Sequence, residues 1–457
     1  MKFNSKELLE ELEDQYLADD NNRPWIVAFS GGKDSTALLL FVWHTLEKLK
    51  KANSKALKRK VYVICNNTLV ENPQVLTFVQ SELELIQKVA TERGLPIIVD
   101  QTTPKLEDTF WMNLIGKGYP APNSMFRWCT ERLKIKPTTR YIEEKISSHG
   151  EAIILMGTRS DESVNRAKSI KKHEVTGSRL RNHPLPNAKS YAPIKDMTTD
   201  EVWEFLSTNK NPWNNTYNDK LITLYVNGSG GDCPIVMDIN TPSCGNSRFG
   251  CWVCSVVKRD KSMEALIDSG EDWMIPLVKI RDFLVKTIDR DGKDYDAPKY
   301  RMPIRRNGAE GIGAYWPEVR KEILTAVLKA QVIAQKEDPE LRLISIQELV
   351  AIQIQWSRDF IFDFTVSEIY KSVYGDTLSF NGPTNTNHER EKVIINKVCQ
   401  EHPEDVRLIQ NLLNAQKNKV LMVKKIGLQN DIEALINEQV NLTYTKHYNA
   451  NKKSNIK

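Results

Sequence analysis

The sequence predicts an α/β protein: a doubly wound parallel sheet with a Cys-rich metal-binding segment and a helical C-terminal region. Three observations carry this. Apolar strand-like runs alternate with helical segments through roughly the first 210 residues, a Gly- and Ser-rich turn follows the first run, and the alternation stops after about residue 240. Strand and helix in alternation pair in parallel through right-handed crossovers, and ligands of such sheets sit outside the carboxyl ends of the strands.

Taken in order, "WIVAFS" (25–30) reads as a buried strand and "DSTALLLFVWHTLEKL" (34–49) as the helix after it. "KVYVICNNT" (60–68) is a second strand, residues 72–94 a helix closed by Gly94, and "LPIIVDQ" (95–101) a third strand. "KPTTRYIEEKISSHG" (136–150) is a helix and "EAIILMGTR" (151–159) a further strand. Past "TPSCGNSRFGCWVCSVVKRDKSM" (241–263), residues 264–288 read as one helical stretch and 289–315 as polar loop. Helices follow over 316–336 and 345–360, with a basic tail at 449–457. The composition shifts divide the chain into a nucleotide-binding domain (1–228), a Cys-rich segment (229–310) and a helical region (311–457). There are no internal repeats.

A chain of 457 residues with 40% hydrophobic content has material for two or three packed units. No apolar run approaches the roughly 20 residues that span a bilayer, and the N-terminus lacks a signal peptide's apolar core, so a cytoplasmic protein with no membrane partner is expected. Seven cysteines are few for a disulfide framework and point instead to metal or redox chemistry. The net charge of +5 says little, but 48–60 carries seven basic residues and no acid, and 168–183 is a second basic stretch. Such runs suit phosphate backbones and equally suit a solvated face.

Ser30-Gly31-Gly32-Lys33-Asp34-Ser35 is not a Walker A loop, which needs two glycines five positions apart before Lys and Ser or Thr. Two adjacent glycines between strand and helix let backbone N–H groups close on an anion, and the helix start adds its positive end. Ser30 and Ser35 supply hydroxyls and Lys33 a point charge. The pattern S-G-G-x-D-S resembles the PP-loop of the adenine-nucleotide α-hydrolases. That resemblance implies ATP held by its β and γ phosphates, attack at the α-phosphate, release of pyrophosphate, and Asp34 at the Mg²⁺ and pyrophosphate end of the nucleotide.

Three further segments resemble the phosphoadenylylsulfate (PAPS) reductase branch: "FRWCTERLKIKP" (126–137), "GTRSDESVNR" (157–166) and "YAPIKDMTTDEVWEFL" (191–206). Arg127, Arg159 and Arg166 could grip phosphate oxygens bidentately, Gly157 lies in the nucleotide-binding element, and Asp196 could orient a cation or an Arg. The C-terminal Glu-Cys-Gly-Leu-His element of the reductases is missing, and Cys399 reads as a small buried hydrophobe.

Cys233, Cys244, Cys251 and Cys254 fall within 22 residues, the last two as C-x-x-C, and Cys129 stands upstream in the reductase-like motif. An iron–sulfur cluster, structural zinc and unliganded thiols are all compatible with this spacing. For a [4Fe–4S] cluster the favoured ligands are Cys129, Cys244, Cys251 and Cys254, with Cys233 replacing Cys129 in the alternative set. The Cys-rich block, together with the PP-loop, Arg-Trp-Cys-Thr and "YRMPIRRNG" (300–308), resembles the DNA phosphorothioation sulfurtransferase family. This implies ATP, Mg²⁺ and a [4Fe–4S] cluster as cofactors. It also implies DNA, a cysteine desulfurase as sulfur donor and other phosphorothioation components as partners, with the three arginines stabilising the transition state and the two basic runs tracking the DNA backbone. Sulfonucleotide reduction, tRNA thiolation and a non-enzymatic nucleotide-binding adaptor are the competing expectations.

Overall fold

Six strands form one sheet: β1 Trp25–Ala28, β2 Val61–Asn66, β3 Ile97–Thr102, β4 Ala152–Leu155, β5 Arg181–Asn182 and β6 Ala188–Tyr191, in the order β3-β2-β1-β4-β6-β5. Every pairing is parallel except the short β5, which runs antiparallel to β6. The computed structural model describes residues 3–18, 23–123, 125–162, 167–168, 170–171, 178–228, 250–257, 259–288, 297–302, 313–359, 361–376, 378, 393–420, 432–433 and 435–437. The 449–457 tail, Arg166, Cys233 and Cys244 lie outside those residues.

β1 is central because both of its faces are apolar. Trp25 and Val27 face one layer, with Leu39, Phe41 and Trp203, while Ile26 faces the other with Tyr62, Ile154 and Ile142. A parallel sheet covered on both sides selects such continuous apolar strands, and each fully buried large side chain contributes roughly 1.5–3 kcal/mol. The covering helices are α1 Ser5–Leu17, α2 Lys33–Ala52, α3 Pro73–Glu92, α4 Lys136–His149, α5 Thr199–Thr208 and α6 Tyr217–Gly228. Local signals set their ends. Asn72 caps α3 through the amides of Gln74 and Val75 with Pro73 in the first turn, and α4 stops at Gly150, φ +82°. Thr198 and Glu201 form a capping box at α5.

The chain runs from β1 outward to β2 and β3, then crosses back to β4 on the other side of β1. The carboxyl ends of β1 and β4 therefore flank the reversal in strand order, where open α/β sheets form their ligand crevice.

Several elements differ from expectation. β5 and β6 were not legible, since β6 is only "AKSY" and follows a Pro-containing turn with no apolar run. Residues 264–288 are broken rather than one helix: Lys261–Asp268 ends at Ser269-Gly270, Gly270 at φ +111°, before a new helix, Ile275–Lys286. Thr130–Ile135 winds as a π-helical turn directly before α4.

By contacts the chain divides into two compact units, one of residues 1–110, 122–285 and 333–343, the other of 111–121, 286–332 and 344–457. The first contains the whole sheet. The second includes the helices Ile346–Arg358, Val366–Tyr374 and Val406–Val420, so helical structure does occupy the C-terminal region. Within it, buried Arg320 donates to the carbonyls of Gly116 and Tyr315, and the Trp356 indole N–H to that of Ile115. No described helix is long and apolar enough to cross a membrane.

Candidate active site

Beyond β1 the backbone turns through Ser30, Gly31 and Gly32 into α2. Gly31 has φ +73°, and a Cβ there would lie 2.3 Å from Val79 Cγ2 on α3, so conformation and space both exclude a side chain. The Ser35 hydroxyl donates to the Gly32 carbonyl (2.9 Å) and accepts from the Ser30 amide (3.2 Å), closing the loop on itself. Buried Tyr217 donates to the Gly31 carbonyl (3.0 Å), with its ring stacked on Phe78 at 4.9 Å. Across the crevice, a Cβ on Gly157 would lie 2.9 Å from the Asp34 carbonyl oxygen. The absence of that Cβ lets the loop after β4 press against the first turn of α2, whose N-terminal amides and dipole favour an anion.

The charges form one chain of contacts. Asp34 accepts from Lys33 Nζ (3.1 Å) and from Arg159 Nε (2.7 Å). Arg159 is 1% exposed, and its other two nitrogens donate to the Met197 carbonyl (3.0 Å) and Thr199 Oγ1 (3.1 Å). Asp161 accepts from the Thr199 amide (2.9 Å) and hydroxyl (3.0 Å). Burial pushes the Asp161 carboxyl up, but those two bonds and Arg159 outweigh it and hold the group below its ordinary value. The guanidinium expected to reach phosphate is thus directed at Asp34 and the start of α5; Arg159 positions Asp34.

Of the other expected residues, Arg127 is exposed and Asp196 is exposed in the turn before α5. Tyr225 was missed. A Cβ on Gly32 would meet its hydroxyl at 3.4 Å, Lys33 Nζ lies 5.9 Å from its ring centroid, and burial with the nearby Asp34 charge pushes its phenol up to about 12. Tyr217, Leu221 and Tyr225 share one face of α6 at helical spacing, the one signal the sequence carried for them.

The cysteines reach the same edge of the sheet. Residues 70–72, just past β2, pair with 250–252: the Trp252 amide donates to the Val70 carbonyl (3.0 Å) and the Asn72 amide to that of Gly250 (3.2 Å). The Cys254 amide donates to the Cys251 carbonyl (3.0 Å), and Arg281, buried beneath, donates to the Cys254 carbonyl (3.1 Å). Cys251 Sγ lies 3.4 Å from Thr68 Oγ1, and burial beside Glu71 pushes its thiol up to about 12. Burial pushes Cys129 up too, with a further contribution from Cys254. For Lys134, desolvation acts downward, but Cys251, Glu71, Cys129 and Cys254 together carry the ammonium above its ordinary value. Lys134 Nζ lies 3.9 Å from Glu71, and three of the five expected ligands act on its charge. No group of three or more His, Cys, Asp or Glu among the described residues is arranged to hold a metal. The described thiols converge without closing a cage, and the remaining candidates, Cys244 and Cys233, lie outside the described residues.

The 48–60 run is placed elsewhere. α2 starts at the loop and runs 20 residues, about 30 Å at 1.5 Å per residue. Its last turn and the Lys60 carbonyl, bonded to the Trp25 amide, lie at the amino ends of the strands. Lys48 is paired with Glu13, and Lys50 donates to the Arg93 carbonyl.

The sequence profile of the phosphoadenosine phosphosulfate reductase domain matches residues 24–257, just over half of the chain. The chain belongs to this family. The PAPS reductase-like domain thus spans the PP-loop, Gly157, Arg159 and all the cysteines except Cys399. The uncharacterized protein MJ0066 of Methanocaldococcus jannaschii is 30% identical over 196 residues, 43% of this chain and 34% of that protein. The match spans about a third of that relative's length. Among solved structures, PAPS reductase from Candida auris in a phosphate complex is 16% identical, covering 48% of this chain and 94% of that one, TM-score 0.28. Candida glabrata FMN adenylyltransferase with FMN and an ATP analogue is 13% identical, covering 45% and 57%, TM-score 0.26.

Proposed function

We propose that this PAPS reductase-like chain is an ATP pyrophosphatase and DNA phosphorothioation sulfurtransferase of the DndC kind. The observation that carries the reading is the shared edge: the Ser30–Ser35 loop and the Cys129, Cys251 and Cys254 thiols all lie beyond the carboxyl ends of parallel strands. In this reading Ser30, Gly31, Gly32, Lys33 and Ser35 bind the β and γ phosphates. Asp34, held by Arg159, takes Mg²⁺, which prefers one or two carboxylates with phosphate oxygens. A DNA phosphate oxygen attacks the α-phosphorus, the α–β bond breaks and pyrophosphate leaves. The terminal sulfur of a cysteine persulfide, supplied by a cysteine desulfurase, then attacks the DNA phosphorus and AMP leaves with the original oxygen; a dithiol reduces the resulting P–S–S linkage, freeing the phosphorothioate and the cysteine thiol and ending as a disulfide. Arg127, exposed at the mouth, and Arg166 neutralise developing charge.

A [4Fe–4S] cluster on Cys129, Cys244, Cys251 and Cys254, or with Cys233 replacing Cys129, belongs to the proposal as a sulfur-rich redox centre, and no step above passes through it. The family match favours one second reading, sulfonucleotide reduction, which needs the same nucleotide grip.

The test is one anaerobic preparation assayed two ways. With ATP, Mg²⁺, cysteine, a cysteine desulfurase, a dithiol, the partner components and DNA, phosphorothioate dinucleotides are expected after digestion and mass spectrometry. Sulfite release from PAPS with a dithiol, and no DNA sulfur, would establish the reductase reading instead.

A further inference from the structure

We propose that Met125 and Phe126, with Arg127 beside them, form a base-stacking wedge that holds an unpaired stretch of nucleic acid strand at the mouth of the nucleotide site, an inference that rests on the DNA reading above. The segment leads straight into Thr130–Ile135, which is fixed at the carboxyl end of β2 by Asn66 Nδ2 donating to the Leu133 carbonyl (3.1 Å). It therefore stands on the edge of the sheet that carries the Ser30–Ser35 loop.

Its construction is a rigid display of apolar groups. Asn123 Oδ1 accepts from the amides of Met125 (2.9 Å) and Phe126 (2.8 Å), a side-chain turn that sets the backbone before any ligand arrives. Trp128 is buried at its base and stacks on Phe110 with centroids 5.4 Å apart. Above that anchor, Met125 is 92% exposed and Phe126 45%, and Ile135 on the adjoining turn is 54% exposed.

The surroundings select the partner. Arg127, Lys134, Lys136 and Arg140 are exposed on the same segment; its exposed Glu131 lies 3.8 Å from Lys136, Lys134 lies 3.9 Å from Glu71 and Asp108 is committed to Arg132 (2.8 Å), which leaves the segment with an excess of cations. Apolar side chains with π or polarisable faces, interleaved with cations, match a strand whose bases stack and whose phosphates are anionic. A second copy of this chain would bring the same cations against themselves. The reaction needs one backbone phosphate held still at the crevice, and stacking a neighbouring base on Phe126 while Met125 wedges the step supplies that.

The test measures binding of a labelled single-stranded oligonucleotide by anisotropy across a salt series. Met125→Ala/Phe126→Ala is expected to weaken binding about tenfold with the salt slope unchanged, because stacking releases no counterions. Arg127→Gln is expected to lower the slope by about one. Thermal unfolding of the double variant should match the parent, since neither side chain packs in the core.

Undiminished affinity in the double variant, with DNA still sulfur-modified by the parent, overturns the wedge alone. A parent that binds no strand overturns the wedge together with the DNA reading. A parent that sediments as a dimer while the double variant is monomeric assigns the patch to self-association and also overturns it.

Discussion

Arg159→Met is expected to destabilise the sheet-containing unit by about 3–5 kcal/mol, the usual cost of removing one partner of a buried ion pair, and to abolish nucleotide turnover. The guanidinium bonds Asp34, the Met197 carbonyl and Thr199, so its loss takes a donor from each and frees the first turn of α2 from the start of α5. Arg159→Lys should fail to rescue, since one ammonium cannot span three directions. Denaturant unfolding across a cycle of Arg159→Met, Asp34→Asn and the double variant checks this. A coupling of about 0.5–3 kcal/mol is expected for groups in contact. Additive effects with turnover retained would show that Arg159 does not position Asp34.

Gly31→Ala should cost about 1–2 kcal/mol for the left-handed backbone and a further 1–3 kcal/mol for overpacking against Val79. It should also remove most ATP affinity by deforming the phosphate grip. Adding Val79→Ala relieves the steric part, because the obstructing atom is Val79 Cγ2, but leaves the backbone strain. Partial recovery of stability with little recovery of binding is therefore expected, read by unfolding and by calorimetric titration with ATP. Full recovery of both would mean that the loop tolerates a Cβ and that its conformation is not what grips the nucleotide.

What was legible in the sequence follows from what is locally encoded. β1 to β4 and the helices between them are long apolar runs with clear periodicity, and the loop is a contiguous string whose glycines announce its geometry. The role of Arg159 was not legible, because whether a guanidinium faces a phosphate or a buried carboxylate depends on Met197 and Thr199, nearly 40 residues away. Tyr217 and Tyr225 were hidden for the same reason: they look like core positions of an amphipathic helix until α6 is laid beside the loop. The distance between the 48–60 run and the crevice needed the length of α2. The C-x-x-C is brought to the carboxyl end of β2 by the pairing of 70–72 with 250–252, a long-range contact that no local pattern encodes.

If the Ser30–Ser35 loop grips pyrophosphate as proposed, cleavage of ATP falls at its α–β bond. Separating the nucleotide products of ATP turnover with Mg²⁺ by this chain, with and without DNA, tests this directly. AMP and pyrophosphate in equal amounts, lost in Gly31→Ala, are expected; ADP and inorganic phosphate as the main products would show that the loop does not hold a leaving pyrophosphate.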